Sequence, residues 1–113
     1  MRLGGSSTAR RTGGGAVDRR AILRVSVPVD DAWHVVMLRG PVLHVATRHR
    51  DEVEVWFLND PELEPQSREF TVVGTGHAMP AGRHVGTAIV PGGALVWHLL
   101  ERGTAAIEGA RGR

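Results

Sequence analysis

The side chains best equipped for chemistry lie in one stretch, residues 70–101, FTVVGTGHAMPAGRHVGTAIVPGGALVWHLLE. Within it, residues 74–83 (GTGHAMPAGR) form the prime candidate for a site. The segment is long for a hairpin connection, and long loops mounted on rigid strands are where function concentrates. Gly74 and Gly76 let backbone amides converge, Thr75 brings a hydroxyl, and the His77 imidazole can bind a ligand or carry a proton. A phosphate cradle would use the same ingredients. It would also need a GxGxxG pattern or a P-loop lysine and a helix start to aim at the anion, and none is present. The structural alternative is a bulged strand end followed by a loop that stops at Pro80.

Six histidines (His34, His44, His49, His77, His84 and His98) and no cysteine raise the question of metal. Zinc would require three or four imidazole or carboxylate ligands to converge. The chain has no HxH and no HExxH, so a site could arise only if His44, His77, His84, His98 and Glu101 met in space. The expectation is instead that these are rim or half-buried residues bonded to backbone, with no metal and no cofactor. Nucleophilic chemistry has less support. There is no thiol, Ser26 and Ser67 stand in no nucleophile elbow, and the acids at 51–54 and 60–64 read as solvated turn edges. Of the five aromatic residues, Trp33, Trp56 and Trp97 could stack on a base or a sugar, but core duty is expected for at least two of the three tryptophans. Trp56 alternates onto the face of Glu54 and is the one expected at the surface. The candidate ligand-binding set is therefore Gly74, Thr75, Gly76, His77, Trp56 and His98, with no catalytic residue assigned.

The elements that must position this set are strands. Alternating apolar runs bounded by turn residues occur at 21–27 (AILRVSV), 33–38 (WHVVML), 42–48 (VLHVATR), 53–58 (VEVWFL), 68–73 (REFTVV), 84–90 (HVGTAIV) and 94–100 (ALVWHLL). Seven short strands at this spacing predict an all-β domain, a small antiparallel sandwich or barrel. In 42–48 the alternation puts Leu43, Val45 and Thr47 on one face and His44, Ala46 and Arg48 on the other. The Pro91-Gly92-Gly93 turn fits a type II geometry with Gly92 at positive φ. If Pro91 and Gly92 are the two loop residues, Trp97 lies opposite Gly86 and His98 opposite Val85, so that a large ring fills the volume a glycine leaves.

Charge separates the body from the ends. All 14 basic residues are arginine, which points to a GC-rich coding sequence more than to phosphate recognition, and the net charge is +2. Residues 1–20 carry +4 and residues 102–113 carry +2, whereas residues 21–101 carry −4. An acidic body disfavours a nucleic-acid groove, which needs its arginines on one folded face. Nucleic acid could be met only through the basic N-terminal tail. Residues 1–20 have almost nothing to bury and are expected to be disordered, and residues 102–113 are expected to be disordered or frayed, flanking one β domain over 21–101. Neither a secretory leader nor a membrane span is recognisable, which leads to the expectation of a cytoplasmic protein.

The run VEVWFL followed by FTVVGTGHAMP, HVGT and GGALVWHLLE resembles a family of short, uncharacterised proteins encoded by actinobacteria and phages. In these a VGTGHxxP loop, a GT strand and a terminal VWH strand recur. The matching positions are Trp56, Phe70, Val73, Gly74, Thr75, Gly76, His77, Pro80, Gly86, Thr87, Gly93, Val96, Trp97 and His98, and the likeness covers roughly residues 21–101. Met79 departs from the smaller or branched residue expected before the proline. The resemblance implies no activity. The expected function is a small non-catalytic binding or protein-interaction module with a protein or small-molecule partner. The alternatives are a metal- or nucleotide-handling enzyme built on His77, His84 and His98, and a structural subunit that forms a homo-oligomer through an exposed strand edge.

Overall fold

The computed structural model describes residues 18–103, so the expected disorder of residues 1–20 and 102–113 lies, but for residues 18–20, 102 and 103, outside the described residues. Seven strands follow in order: β1 (Ala21–Pro28), β2 (His34–Leu38), β3 (Val42–His49), β4 (Glu52–Asn59), β5 (Gln66–Gly74), β6 (Arg83–Ile89) and β7 (Val96–Arg102). They form two antiparallel sheets, one ordered β1-β4-β3 and the other β2-β5-β7-β6. The expected all-β class holds, and the architecture is an open sandwich rather than a closed barrel.

Period-two alternation decides which side chains face inward. In the three-stranded sheet Val53, Val55 and Phe57 point into the core, with Val27 opposite Val53 and Val45 opposite Val55. In the four-stranded sheet the inward set is Phe70, Val72, Leu99, Ala88 and Leu38. The sheets close tightly where β3 meets β6. A Cβ on Gly86 would lie 2.7 Å from Cγ2 of Val45, so glycine is what permits this approach.

Several local expectations need correction. Leu43 does not share the buried face of Val45 and Thr47. A register shift between Val42 and His44 turns it outward, leaving it half exposed. The β6–β7 hairpin is also longer than the two-residue reading. Gly92 has φ +96° and the Gly93 amide donates to the Val90 carbonyl at 2.8 Å, as a type II turn requires. Gly93 is left-handed too, with φ +78°, and the Val90 amide donates to Leu95 at 2.9 Å. Four loop residues therefore separate Val90 from Leu95, and Trp97 falls opposite Ala88 while Gly86 falls opposite Leu99. His98 faces Thr87 rather than Val85. Only Trp97 of the three tryptophans packs on the core, not two of them. Trp33 instead lies across the outer face of the four-stranded sheet, under the Arg102 guanidinium at 4.5 Å from its centroid.

Among the described residues two carboxylates, Glu54 and Glu101, are buried, and Glu54 is not the solvated edge expected of it. Glu54 lies on the outer face of β4, where Arg48 grips it with Nε at 3.0 Å and Nη2 at 2.6 Å and Arg24 adds a contact at 3.2 Å. Glu101 points inward and is held by Arg68 and, at 2.7 Å, by Arg83. Charge-assisted pairing of this kind is what makes a buried carboxylate tolerable.

Candidate functional site

Residues 74–83 leave the end of β5 through a tight turn. The His77 amide donates to the Gly74 carbonyl at 3.1 Å, and Gly76 supplies φ +89° at the turn's third position. The Thr75 amide donates to the Val96 carbonyl of the neighbouring chain segment at 3.3 Å. Two amides of the loop are thus spent within the fold rather than left to face an anion. Gly74 serves a different purpose. A Cβ there would sit 3.1 Å from Cζ3 of Trp97 and 3.2 Å from Nδ1 of His77, so both rings rest on bare backbone.

Because Gly74 and Thr75 point to opposite faces, the loop contributes to two distinct surfaces. The outer one carries a chain of polar side chains. Thr75 Oγ1 is 2.7 Å from His98 Nε2, His98 Nδ1 is 3.0 Å from Thr87 Oγ1, and Thr87 Oγ1 is 2.9 Å from His84 Nε2. The two imidazoles are 5.5 Å apart between centroids. Hydrogen counting gives self-consistent states both with His98 neutral and with His98 protonated. With neutral His98, Nε2–H donates to Thr75, the Thr87 hydroxyl donates to Nδ1, and His84 Nε2–H donates to Thr87. With protonated His98, both its N–H groups donate, and the Thr87 hydroxyl reverses to donate to His84. Such a chain can relocate a proton. Thr87 beside two imidazoles has part of a nucleophile–base geometry, but the base is oriented by a hydroxyl rather than a carboxylate, and the chain lies on an open sheet face.

The other surface is concave. A groove of about 650 Å³ runs between the acidic turn after β1 and the 74–83 loop. Asp30 and Asp31 form one wall, His77, Met79 and Pro80 the other, and Trp97 with the end of β5 lies between them. Trp97 is held in place by its indole N–H, which donates at 3.2 Å to the Arg50 carbonyl in the turn between β3 and β4. Asp30 accepts hydrogen bonds from the His34 ring at 2.8 Å and the Ala32 amide at 2.9 Å, and these hold its carboxyl below the usual range. Asp31 makes no ion pair or side-chain hydrogen bond among the described residues.

The expected site residues are thus divided. Gly74, Thr75, Gly76 and His77 adjoin one another and His98 joins them through Thr75, whereas Trp56 stands on the outer face of the other sheet, half-buried beside His44 at 5.8 Å between centroids. His77 lies on the inner side of Gly74 while His84 and His98 occupy the outer face, so the three-histidine arrangement of the enzyme reading is not formed. Glu101, too, is committed to arginines rather than to histidine. Among the described residues no group of three or more His, Asp or Glu side chains is placed to hold a metal ion. Asp30, Asp31, Thr87 and Trp97 were not in the expected set. Thr87 alternates with the paired face of His98, a cue that needed the correct hairpin register, and the aspartates required knowledge that β2 lies beside β5.

Among the described residues no helix is long and apolar enough to cross a membrane. No curated protein and no solved structure shows a significant match to the chain. A family model does match, over residues 18–109, which spans both sheets and both surfaces of the loop. The chain belongs to that family, described as a domain of unknown function, DUF7352.

Proposed function

We propose that this domain is a small non-catalytic binding module that receives, in the groove beside the 74–83 loop, an apolar group carrying positive charge. A short arginine-bearing segment of a partner protein has that chemistry. The observation that carries the reading is the groove's composition. Met79 is 58% exposed on one wall beside Pro80 and Trp97, and the carboxylates of Asp30 and Asp31 line the other. Apolar walls with a few convergent polar groups are the common make-up of ligand sites, and the −4 charge of residues 21–101 favours a cationic partner over nucleic acid. The likeness of the VGTGHxxP loop to short actinobacterial and phage proteins supports a cytoplasmic role in such a cell, for example as a partner of a host or virion protein.

The test is a titration of the isotopically labelled full chain with short peptides that pair arginine with apolar residues, read by amide and indole chemical shifts. Shifts confined to Asp30, Asp31, Gly76–Met79 and the Trp97 indole, weakened in Asp31→Asn and Met79→Ala, are expected. Absence of shifts, or shifts centred on the outer face around Thr87, would overturn the proposal. Turnover of any substrate that disappears in His77→Ala would overturn its non-catalytic part.

A further inference from the structure

The two sheets have four edge strands, and three of them are guarded. β1 carries Arg24 and ends in Pro28. β3 has register shifts at both ends and carries Arg48. β6 begins with Arg83 and is bulged between His84 and Gly86. Charges, proline and bulges are the devices by which sheet edges avoid pairing with other chains. In addition, β3 and β6 pack on each other through Val45 and Gly86. The fourth edge, β2, has none of these. Its sequence is HVVML, its register against β5 is unbroken, and it has no strand partner on its far side among the described strands.

We infer that β2 is a self-association edge, on which a second copy of this chain adds its own β2 antiparallel about a two-fold axis at Val36. The sequence is self-complementary in that register. Val35 of one copy lies beside Met37 of the other, and Met37 beside Val35. These two side chains are 60% and 57% exposed on the outer face, and the pairing makes them one apolar stripe across the two-fold. Charge agrees with shape. β2 is preceded by Asp30 and Asp31 and followed by Arg39, so the antiparallel arrangement brings Arg39 of each copy toward the acidic turn of the other. Neither Arg39 nor Asp31 has a side-chain partner among the described residues. Isologous contacts of this kind close on themselves and give a dimer rather than a fibre. Five paired residues bury less than the roughly 1,200 Å² of stable complexes, so the dimer forms reversibly with concentration.

Sedimentation velocity of the full chain over about a hundredfold range of concentration tests this, with hydrogen exchange at the β2 amides measured at both ends of the range. A shift from monomer to dimer, with protection gained at Val35–Met37, is expected. Met37→Lys, at an exposed position that keeps the fold and melting temperature, should stay monomeric throughout. Arg39→Asp should weaken association about tenfold or more, and adding Asp31→Arg should restore it. A wild-type chain that remains monomeric at every concentration would overturn the inference. So would a dimer that Met37→Lys leaves intact.

Discussion

The ring of Trp97 lies against the bare backbone of Gly74, its direct cross-strand partner, with only 3.1 Å between Cζ3 and the place a Cβ would take. The indole cannot withdraw freely, because its N–H is bonded to the Arg50 carbonyl in the β3–β4 turn. His77 sits on the same spot from the loop side, 3.2 Å away. One glycine therefore seats both rings that border the groove. Gly74 does not need left-handed backbone, so a substitution here tests space alone.

Gly74→Ala is expected to lower stability by about 1–2 kcal/mol, as overpacking a fitted contact does. It should also shift the emission of Trp97 and release His77. Urea denaturation followed by tryptophan fluorescence measures the loss of stability and the shift in emission. Unchanged stability with unchanged emission would mean that the two rings yield without cost, and that the groove wall is not fixed by this contact.

A second glycine makes a sharper test. A Cβ on Gly86 would come within 2.7 Å of Val45 Cγ2 and 2.9 Å of its Cβ, a branched side chain with no flexible end to swing aside. Gly86→Ala should cost about 1–3 kcal/mol by forcing β6 away from β3. Val45→Ala alone should also destabilise, through lost burial. The double variant should be more stable than the sum of the two predicts, by about 1 kcal/mol or more, since one change makes the room the other needs. Additivity within error would show that Gly86 and Val45 do not set the distance between the sheets.

Much of the fold was legible because its signals are local. All seven strands appear in the expected order, with ends displaced by one or two residues, since alternation and turn residues mark them directly. What failed was the pairing between strands. The β6–β7 register moved by two residues because Gly93 and Ala94 belong to the loop, so Gly86 no longer faces Trp97, and the glycine beneath that ring is Gly74, supplied by the β5–β7 pairing. A tryptophan does cover a cross-strand glycine, but the partner strand is β5. Glu54 read as a solvated acid for a similar reason. Nothing in VEVWFL shows that Arg24 and Arg48, from strands on either side, close over it. The groove needs β2 beside β5 and the 29–31 turn against the loop, and a pairing between segments so far apart leaves no local trace. The site residues legible from sequence were those within one hairpin's reach, namely the loop itself and His98.

Glu54 should also set part of the acid limit of this fold. Its carboxylate is almost fully inaccessible, and the Arg48 guanidinium bonded to it, aided by the charge of Arg24, holds its pKa below the ordinary glutamate range against the opposing effect of burial. The sign follows from linkage. A carboxyl whose pKa is lower folded than unfolded binds protons more weakly in the folded state. Its stabilisation is complete above the unfolded value and is lost as the pH falls through the folded one. Glu54→Gln keeps the shape and some hydrogen bonding but removes the charge. It should therefore be clearly less stable than wild type near neutrality, and the gap should narrow as the solution is acidified from about pH 7 to about pH 3. Asp30 and the other carboxylates titrate in both proteins, so the difference between the two curves isolates Glu54. Urea midpoints across this pH series measure it. Parallel curves would show that the Arg24–Glu54–Arg48 cluster contributes packing but no charge-dependent stability.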